Sequence, residues 1–186
     1  MINPHWLGLL YCASEVFISI RMRSGQPKGG ESKDKGSLKW IWTVVMVSVA
    51  LSITFSYVRW AQMREDDFTY NLGVVLFIAF IALRWYAIYY LGKFFTVDVA
   101  VAKDHRVIDS GPYRLIRHPA YLGAIGAFVG LGLCFNNWLS LIILVVPVTA
   151  VFIKRITVEE ASLQAALGDS YKRYMEKTYR LLPGVY

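Results

Sequence analysis

Apolar residues in this chain come in blocks, and the polar residues gather between them. The first block runs from Trp6 to Ile20 and contains Glu15. With its flanks, residues 4–22, it reaches the roughly 20 residues a helix needs to cross a bilayer's hydrocarbon core. Residues 40–58 form a second block that carries no charge. Residues 71–91 form a third, interrupted by Arg84. Residues 120–135 form a fourth, in which Gly123, Gly126, Gly130 and Gly132 recur. Small residues at such intervals let helix backbones approach closely in lipid. Residues 138–153 are the fifth, with Pro147 as a point for a kink. Asn136 and Asn137 between the last two blocks predict a tight turn and a helical hairpin. Only helices and closed barrels satisfy every backbone polar group inside a bilayer. The pattern therefore predicts an all-α integral membrane bundle of five transmembrane helices.

The connecting segments are polar. Residues 21–39 are basic and rich in glycine, 59–70 carry both charge signs, and 92–119 are long and amphipathic. From Lys154 on, Ile156, Leu163, Ala166 and Leu167 recur near the helical period. That predicts a C-terminal helix, divided at Gly168 and followed by a non-helical tail from Arg180 to Tyr186. With five crossings, the basic segments 21–39, 93–117 and 154–180 fall on one side. The turns at 59–67 and 136–137 fall on the other. Lys and Arg concentrate in cytoplasmic loops, so the expected orientation is N-terminus out and C-terminus cytoplasmic. Residues 1–186 read as a single domain.

Composition sharpens this. The chain is 56% hydrophobic and only 18% charged, which fits a membrane protein. Its net charge of +7 then reads as basic cytoplasmic loops facing anionic lipid headgroups, and nucleic acid is not an expected partner. Cys12 and Cys134 both sit in apolar runs, with no metal-ligand spacing and no disulfide framework.

The chemistry gathers in the stretch Gly111–Gly123, GPYRLIRHPAYLG, where Tyr113, Arg114, Arg117, His118 and Tyr121 lie between and beside Pro112 and Pro119. Some thirty residues later come Arg155, Glu159 and Glu160. All fall on the predicted cytoplasmic side, as does His105. A guanidinium fork matches a carboxylate, which makes Arg155 a candidate for an anionic substrate. The competing reading is an arginine snorkelling from a helix end to water. Glu159 and Glu160 compete in the same way with acidic residues placed favourably in a helix's first turn. Glu15 and Arg84, each mid-span, are expected to pair or to line a polar cavity below the site, because intramembrane charges are costly alone.

At this point the sequence resembles the isoprenylcysteine carboxyl methyltransferases, integral membrane enzymes that use S-adenosylmethionine. The matching residues are His105, Gly111, Tyr113, Arg117-His118-Pro119-x-Tyr121-x-Gly123, Arg155-Ile156, Glu159-Glu160, Leu163, Gly168, Tyr171, Tyr174 and Leu182-Pro183. The likeness covers the C-terminal half and resembles a prokaryotic relative, at home in an inner membrane. Phospholipid N-methyltransferases, thiol methyltransferases and NADPH-dependent sterol reductases carry similar Arg-His-Pro-x-Tyr pieces. The pairing with Arg155 and the two glutamates favours the carboxyl methyltransferase branch.

The resemblance implies a cofactor region at 92–123 and 154–186, with the C-terminal helix and tail covering the cofactor. It implies a pocket of His105, Gly111, Tyr113, Arg117, His118, Pro119, Tyr121, Glu160, Tyr171 and Tyr174, with Arg155 and Glu159 catalytic and no metal. The implied partner is a lipophilic or prenylated substrate entering from the bilayer. A carboxylate acceptor, with a pKa near 4, is ionised at pH 7 and needs no general base. An amine acceptor would need one, and His118 and Glu160 are the candidates.

Overall fold

The structure is a computed structural model that describes residues 4–23, 37–63, 67–95 and 106–184. His105 and most of the basic 21–39 connector lie outside the described residues. Among the described residues there are six α-helices and no strand. They are α1 (Pro4–Arg23), α2 (Ser37–Phe55), α3 (Asp67–Leu91), α4 (Pro119–Cys134), α5 (Trp138–Leu167) and α6 (Asp169–Lys177). The helical stretches Asp67–Phe94 and Trp138–Leu167 are long and apolar enough to cross a membrane. Shorter apolar stretches occupy Trp6–Ile18, Lys39–Phe55 and Pro119–Cys134.

These helices are apolar on both faces. Phe77, Phe128, Leu131, Leu144 and Val148 are buried in the core. Leu9, Leu10, Phe17, Met46, Val47, Val75, Ile78, Ile142 and Val146 are exposed on the outside. A helix that is hydrophobic all round fits a lipid surround rather than water.

α3 and α4 pack so closely that side chains are excluded between them. A Cβ on Gly130 would lie 2.5 Å from the backbone nitrogen of Phe77, and one on Gly123 would lie 2.7 Å from that of Arg84. From the α3 side, a Cβ on Gly73 would lie 2.7 Å from the carbonyl oxygen of Gly130. Residue pairs 73/130 and 84/123 show that the two helices run antiparallel. α1 runs antiparallel to α4 as well, with the Tyr11 ring tilted against Phe128 at 4.6 Å between centroids. Ser52 of α2 and Ser140 of α5 each donate a hydroxyl hydrogen bond to the other's carbonyl, both 2.8 Å.

At one end of the bundle the 59–63 turn meets the α4–α5 turn, as expected. Met63 N–H donates to the carbonyl of Asn136 at 3.0 Å, and the buried Asn137 amide donates to that of Val58 at 2.9 Å. Several boundaries differ from expectation: α2 begins at Ser37 rather than 40 and α3 at Asp67 rather than 71. α2 stops at Phe55 rather than 58, because Asn137 and local turn bonds take over its terminal backbone groups. α5 does not stop at 153: it passes Pro147 and continues unbroken to Leu167. Its last fourteen residues carry the helix about 20 Å past the apolar block. The 92–119 segment, where described, holds only the short turns Gly92–Phe94 and Gly111–Arg114.

The α3–α4 contact predicts that Gly130→Ala destabilises the bundle, by about 1–3 kcal/mol as overpacking does. Gly8→Ala, whose Cβ would meet nothing nearer than 3.9 Å, serves as the control and leaves the melting temperature in detergent unchanged.

Candidate active site

The end of the bundle opposite the Asn137 turn gathers nearly all the candidate residues. The chain reaches it through the Gly111–Arg114 turn. Gly111 has φ +58°, and a Cβ there would lie 2.5 Å from the Tyr90 ring, so glycine is demanded twice. Tyr113 is buried; its carbonyl accepts a 2.7 Å bond from the Tyr174 hydroxyl of α6. His118 is the N-cap of α4 and Pro119 its first residue, where a missing N–H costs nothing. The His118 carbonyl accepts from Tyr121 and Leu122 N–H and so starts the helix.

Residues 115–118 are paired with the tail like a short strand. Tyr179 N–H donates to Leu115, Arg117 N–H to Tyr179, and His118 N–H to Arg180, at 3.0, 2.8 and 3.1 Å. Tail and turn are therefore one unit.

Glu160 is the centre of the polar network. Its Oε1 accepts from Arg117 Nε at 2.8 Å and faces His118 Nε2 at 3.2 Å. Its Oε2 accepts from Arg180 Nε at 2.8 Å. Burial alone would raise this carboxyl's pKa, but hydrogen bonds and charge from His118 and Arg117 outweigh it and hold the group down at about 2. Arg117 turns its Nη1 to the carbonyls of Met175 and Thr178 and to the Thr178 hydroxyl. Those groups lie at the C-terminal end of α6, where a cation is favoured.

Glu159 faces a different partner. Its Oε2 accepts from the Tyr121 hydroxyl at 2.7 Å. The buried Arg155 acts on that same hydroxyl. The Tyr121 ring lies 5.4 Å from Phe152 and 5.7 Å from His118. Tyr171 and Tyr174 are buried neighbours with ring centroids 5.8 Å apart. Burial raises the Tyr171 hydroxyl's pKa, and the nearby charges of Glu160 and Glu159 raise it further, so α6 sits against both carboxylates.

The structure thus brings together Tyr113, Arg117, His118, Pro119, Tyr121, Arg155, Glu159, Glu160, Tyr171 and Tyr174. His105 lies outside the described residues, and Gly111 lies at the edge, against Tyr90. The two glutamates do not sit in a helix's first turn, because α5 runs through them without a break. Arg155 does not snorkel; only 4% of it is exposed. Arg180 and Thr178 were not foreseen. Their partners are backbone groups and a carboxylate far along the chain, so local pattern carries no sign of them.

A family model described as the isoprenylcysteine carboxyl methyltransferase (ICMT) family matches residues 72–165. A rice protein named probable protein-S-isoprenylcysteine O-methyltransferase (Oryza sativa subsp. indica) is 32% identical over 124 residues, 66% of this chain and 65% of the relative. The protein-S-isoprenylcysteine O-methyltransferase of Schizosaccharomyces pombe is 34% identical over 103 residues, covering 54% of this chain and 44% of the relative. The chain spans less than two thirds of the length of either. A solved structure of the eukaryotic intramembrane Ras methyltransferase ICMT shares the fold, with a TM-score of 0.59 at 22% identity. That likeness covers 80% of this chain and 51% of the other.

The depressed Glu160 carboxyl has a consequence for acid stability. A carboxylate whose pKa is lowered on folding stabilises the protein above its ordinary pKa of 4.5, and that contribution is lost as pH falls toward 2. Thermal melting in detergent is expected to fall more steeply for the wild type than for Glu160→Gln between pH 4.5 and 2. At pH 7 the variant is the less stable of the two. Parallel acid curves would show that the clamp does not hold Glu160 ionised.

Proposed function

Because this chain belongs to the isoprenylcysteine carboxyl methyltransferase family, we propose that it methylates the carboxylate of a lipophilic acceptor, an isoprenylcysteine or a similar molecule. The proposed methyl donor is S-adenosylmethionine. The observation that carries this reading is the meeting of the His118–Tyr121 turn with Arg155, Glu159 and Glu160, through the Tyr121–Glu159 and His118–Glu160 contacts.

The residues present fit such a donor. Buried rings at Tyr113, Tyr171 and Tyr174, together with Pro119 and Phe152, offer apolar faces for a purine. Glu159 and the tyrosine faces suit a sulfonium cation. When bound, S-adenosylmethionine supplies an electrophilic methyl group. Tyr113, His118, Pro119, Tyr121, Tyr171 and Tyr174 are the lining residues in this reading. Arg117 and Glu160, already bonded to each other, keep that lining in place, and Gly111 shapes the entry turn.

Arg155 holds the acceptor carboxylate. The acceptor is ionised at neutral pH, so no proton has to be removed. The task of the site is alignment and exclusion of water. Burial of Arg155 strengthens its pull on an anion, because little water competes for the guanidinium. An amine or thiol acceptor would need a proton taken off first, so these remain the second choice. A nicotinamide-dependent reductase is not what the family match supports.

In this reading five helices span the membrane and the segments 92–123 and 154–186 form the cytoplasmic site region. The exposed apolar residues on the outer faces of α1, α2, α3 and α5 support it. So does the cluster of Lys93, Arg114, Lys154, Lys172, Arg173 and Lys177 around the site end, in keeping with the positive-inside tendency. The acceptor reaches the site sideways from the bilayer.

Calorimetric titration of the detergent-solubilised protein with S-adenosylmethionine and with NADPH tests the reading. Binding of the first alone is expected, and binding of NADPH alone overturns it. Arg155→Lys is expected to lower kcat/KM for methyl-ester formation on a prenylcysteine about 10- to 100-fold, the worth of a charged hydrogen bond, with donor affinity unchanged. An Arg155→Lys enzyme of full activity would remove Arg155 from the acceptor site.

A further inference from the structure

Beneath the site lies a buried ion pair that the family match does not cover on one side, since Glu15 precedes residue 72. Arg84 Nε and Nη2 hold both oxygens of Glu15, the latter at 2.6 Å. Its remaining terminal nitrogen, Nη1, donates to the carbonyl of Ala120 at 2.9 Å. Both residues are 8% exposed. Ala120 stands between Pro119 and Tyr121, in the turn that carries the candidate site. We propose that Arg84, oriented by Glu15, is a positioning residue that fixes the His118–Tyr121 turn from within the membrane. The role in methyl transfer rests on the function proposed above.

Three observations support it. First, the fork is fully used. Two nitrogens are fixed on α1 and the third is aimed at α4, so the direction of the bond to Ala120 is set by Glu15. A lysine, a point donor on a flexible stem, has no such geometry. Second, the close α3–α4 approach is local to this residue: a Cβ on Gly123 would strike the Arg84 backbone nitrogen and Cβ. Third, α1 is tied to α3 at the same level by a Trp85 Nε1–H bond to the Ser14 hydroxyl at 2.8 Å and by Phe17 against Trp85. Glu15 therefore stands on a braced helix.

Glue alone is a poor account of the pair. Apolar side chains of similar size often hold helices as well as a buried ion pair does. What they lack is a directed bond to the Ala120 carbonyl. From that carbonyl the same turn leads on to His118 on Glu160 and Tyr121 on Glu159.

The test compares wild type, Arg84→Lys and the double variant Glu15→Leu/Arg84→Leu, each in detergent. Melting temperature, amide hydrogen exchange at 120–124 without ligand, and S-adenosylmethionine affinity by calorimetry are measured. The double variant is expected to melt close to wild type while its 120–124 amides exchange faster and donor affinity falls. Each change is about fivefold to tenfold, the worth of one hydrogen bond. Wild-type exchange and wild-type affinity in the double variant would overturn the proposal. Should the double variant fail to fold, Arg84→Lys, which keeps the opposite charge beside Glu15, is expected to show the same losses, and wild-type values there overturn it equally. If exchange responds as expected while the wild type itself binds no S-adenosylmethionine, the structural coupling stands and the methyl-transfer reading fails.

Discussion

The site depends on one carboxylate. Glu160 is buried on α5, and groups from two other parts of the chain converge on it: Arg117 and His118 from the turn before α4, and Arg180 from the tail. Each cation or imidazole reaches it from a segment that lacks long regular structure of its own. Without the carboxylate, the buried Arg117 guanidinium would lose its paired charge, which is far costlier than the net worth of the pair. Glu160 thus turns three separate pieces of chain into a single wall, and the tail's backbone pairing with residues 115–118 completes it.

The wall can form only because the helices beneath it are held in register. Close packing of Gly73, Gly123 and Gly130 between α3 and α4 fixes the height of Pro119 relative to Arg84. The 30-residue continuity of α5 then carries Arg155, Glu159 and Glu160 to that same height. Side chains 155, 159 and 160 share the inward side of one rigid helix, so adjacent glutamates serve different ends. Glu160 is enclosed by cations, whereas Glu159 meets the Tyr121 hydroxyl and is only half buried. Neighbouring positions on a helix point about 100° apart, which suffices to give them separate environments.

Much of this was legible in the chain itself. Apolar blocks gave the helices, the glycine spacing of the fourth block gave a close contact, and two mid-span charges announced a buried pair that Glu15 and Arg84 form. The grouping of Arg117, His118, Tyr121 and the two glutamates was also readable. Other features were not. Lys154 and Arg155 look like the end of a helix because their charge breaks the apolar run, yet the backbone continues and Arg155 turns inward. Arg117 and Glu160 are also bonded to each other, a pairing across 43 positions that local pattern does not show. Arg180 sits in a tail with no periodicity, and its role exists only once residues 160 and 180 are brought together by the α5–α6 reversal at Gly168, with φ +56°. Pairings of this kind are long-range, and local pattern does not encode them.

The most direct measurement is an experimental structure of the protein bound to S-adenosylhomocysteine. The account predicts the nucleoside between the Tyr113–Tyr121 stretch and α6, with Glu159 facing the sulfur and Glu160 still bonded to Arg117 and His118. Density for the ligand at the opposite end of the bundle, beside Met63 and Asn137, would contradict it, as would a Glu160 that leaves its cations to contact the ligand.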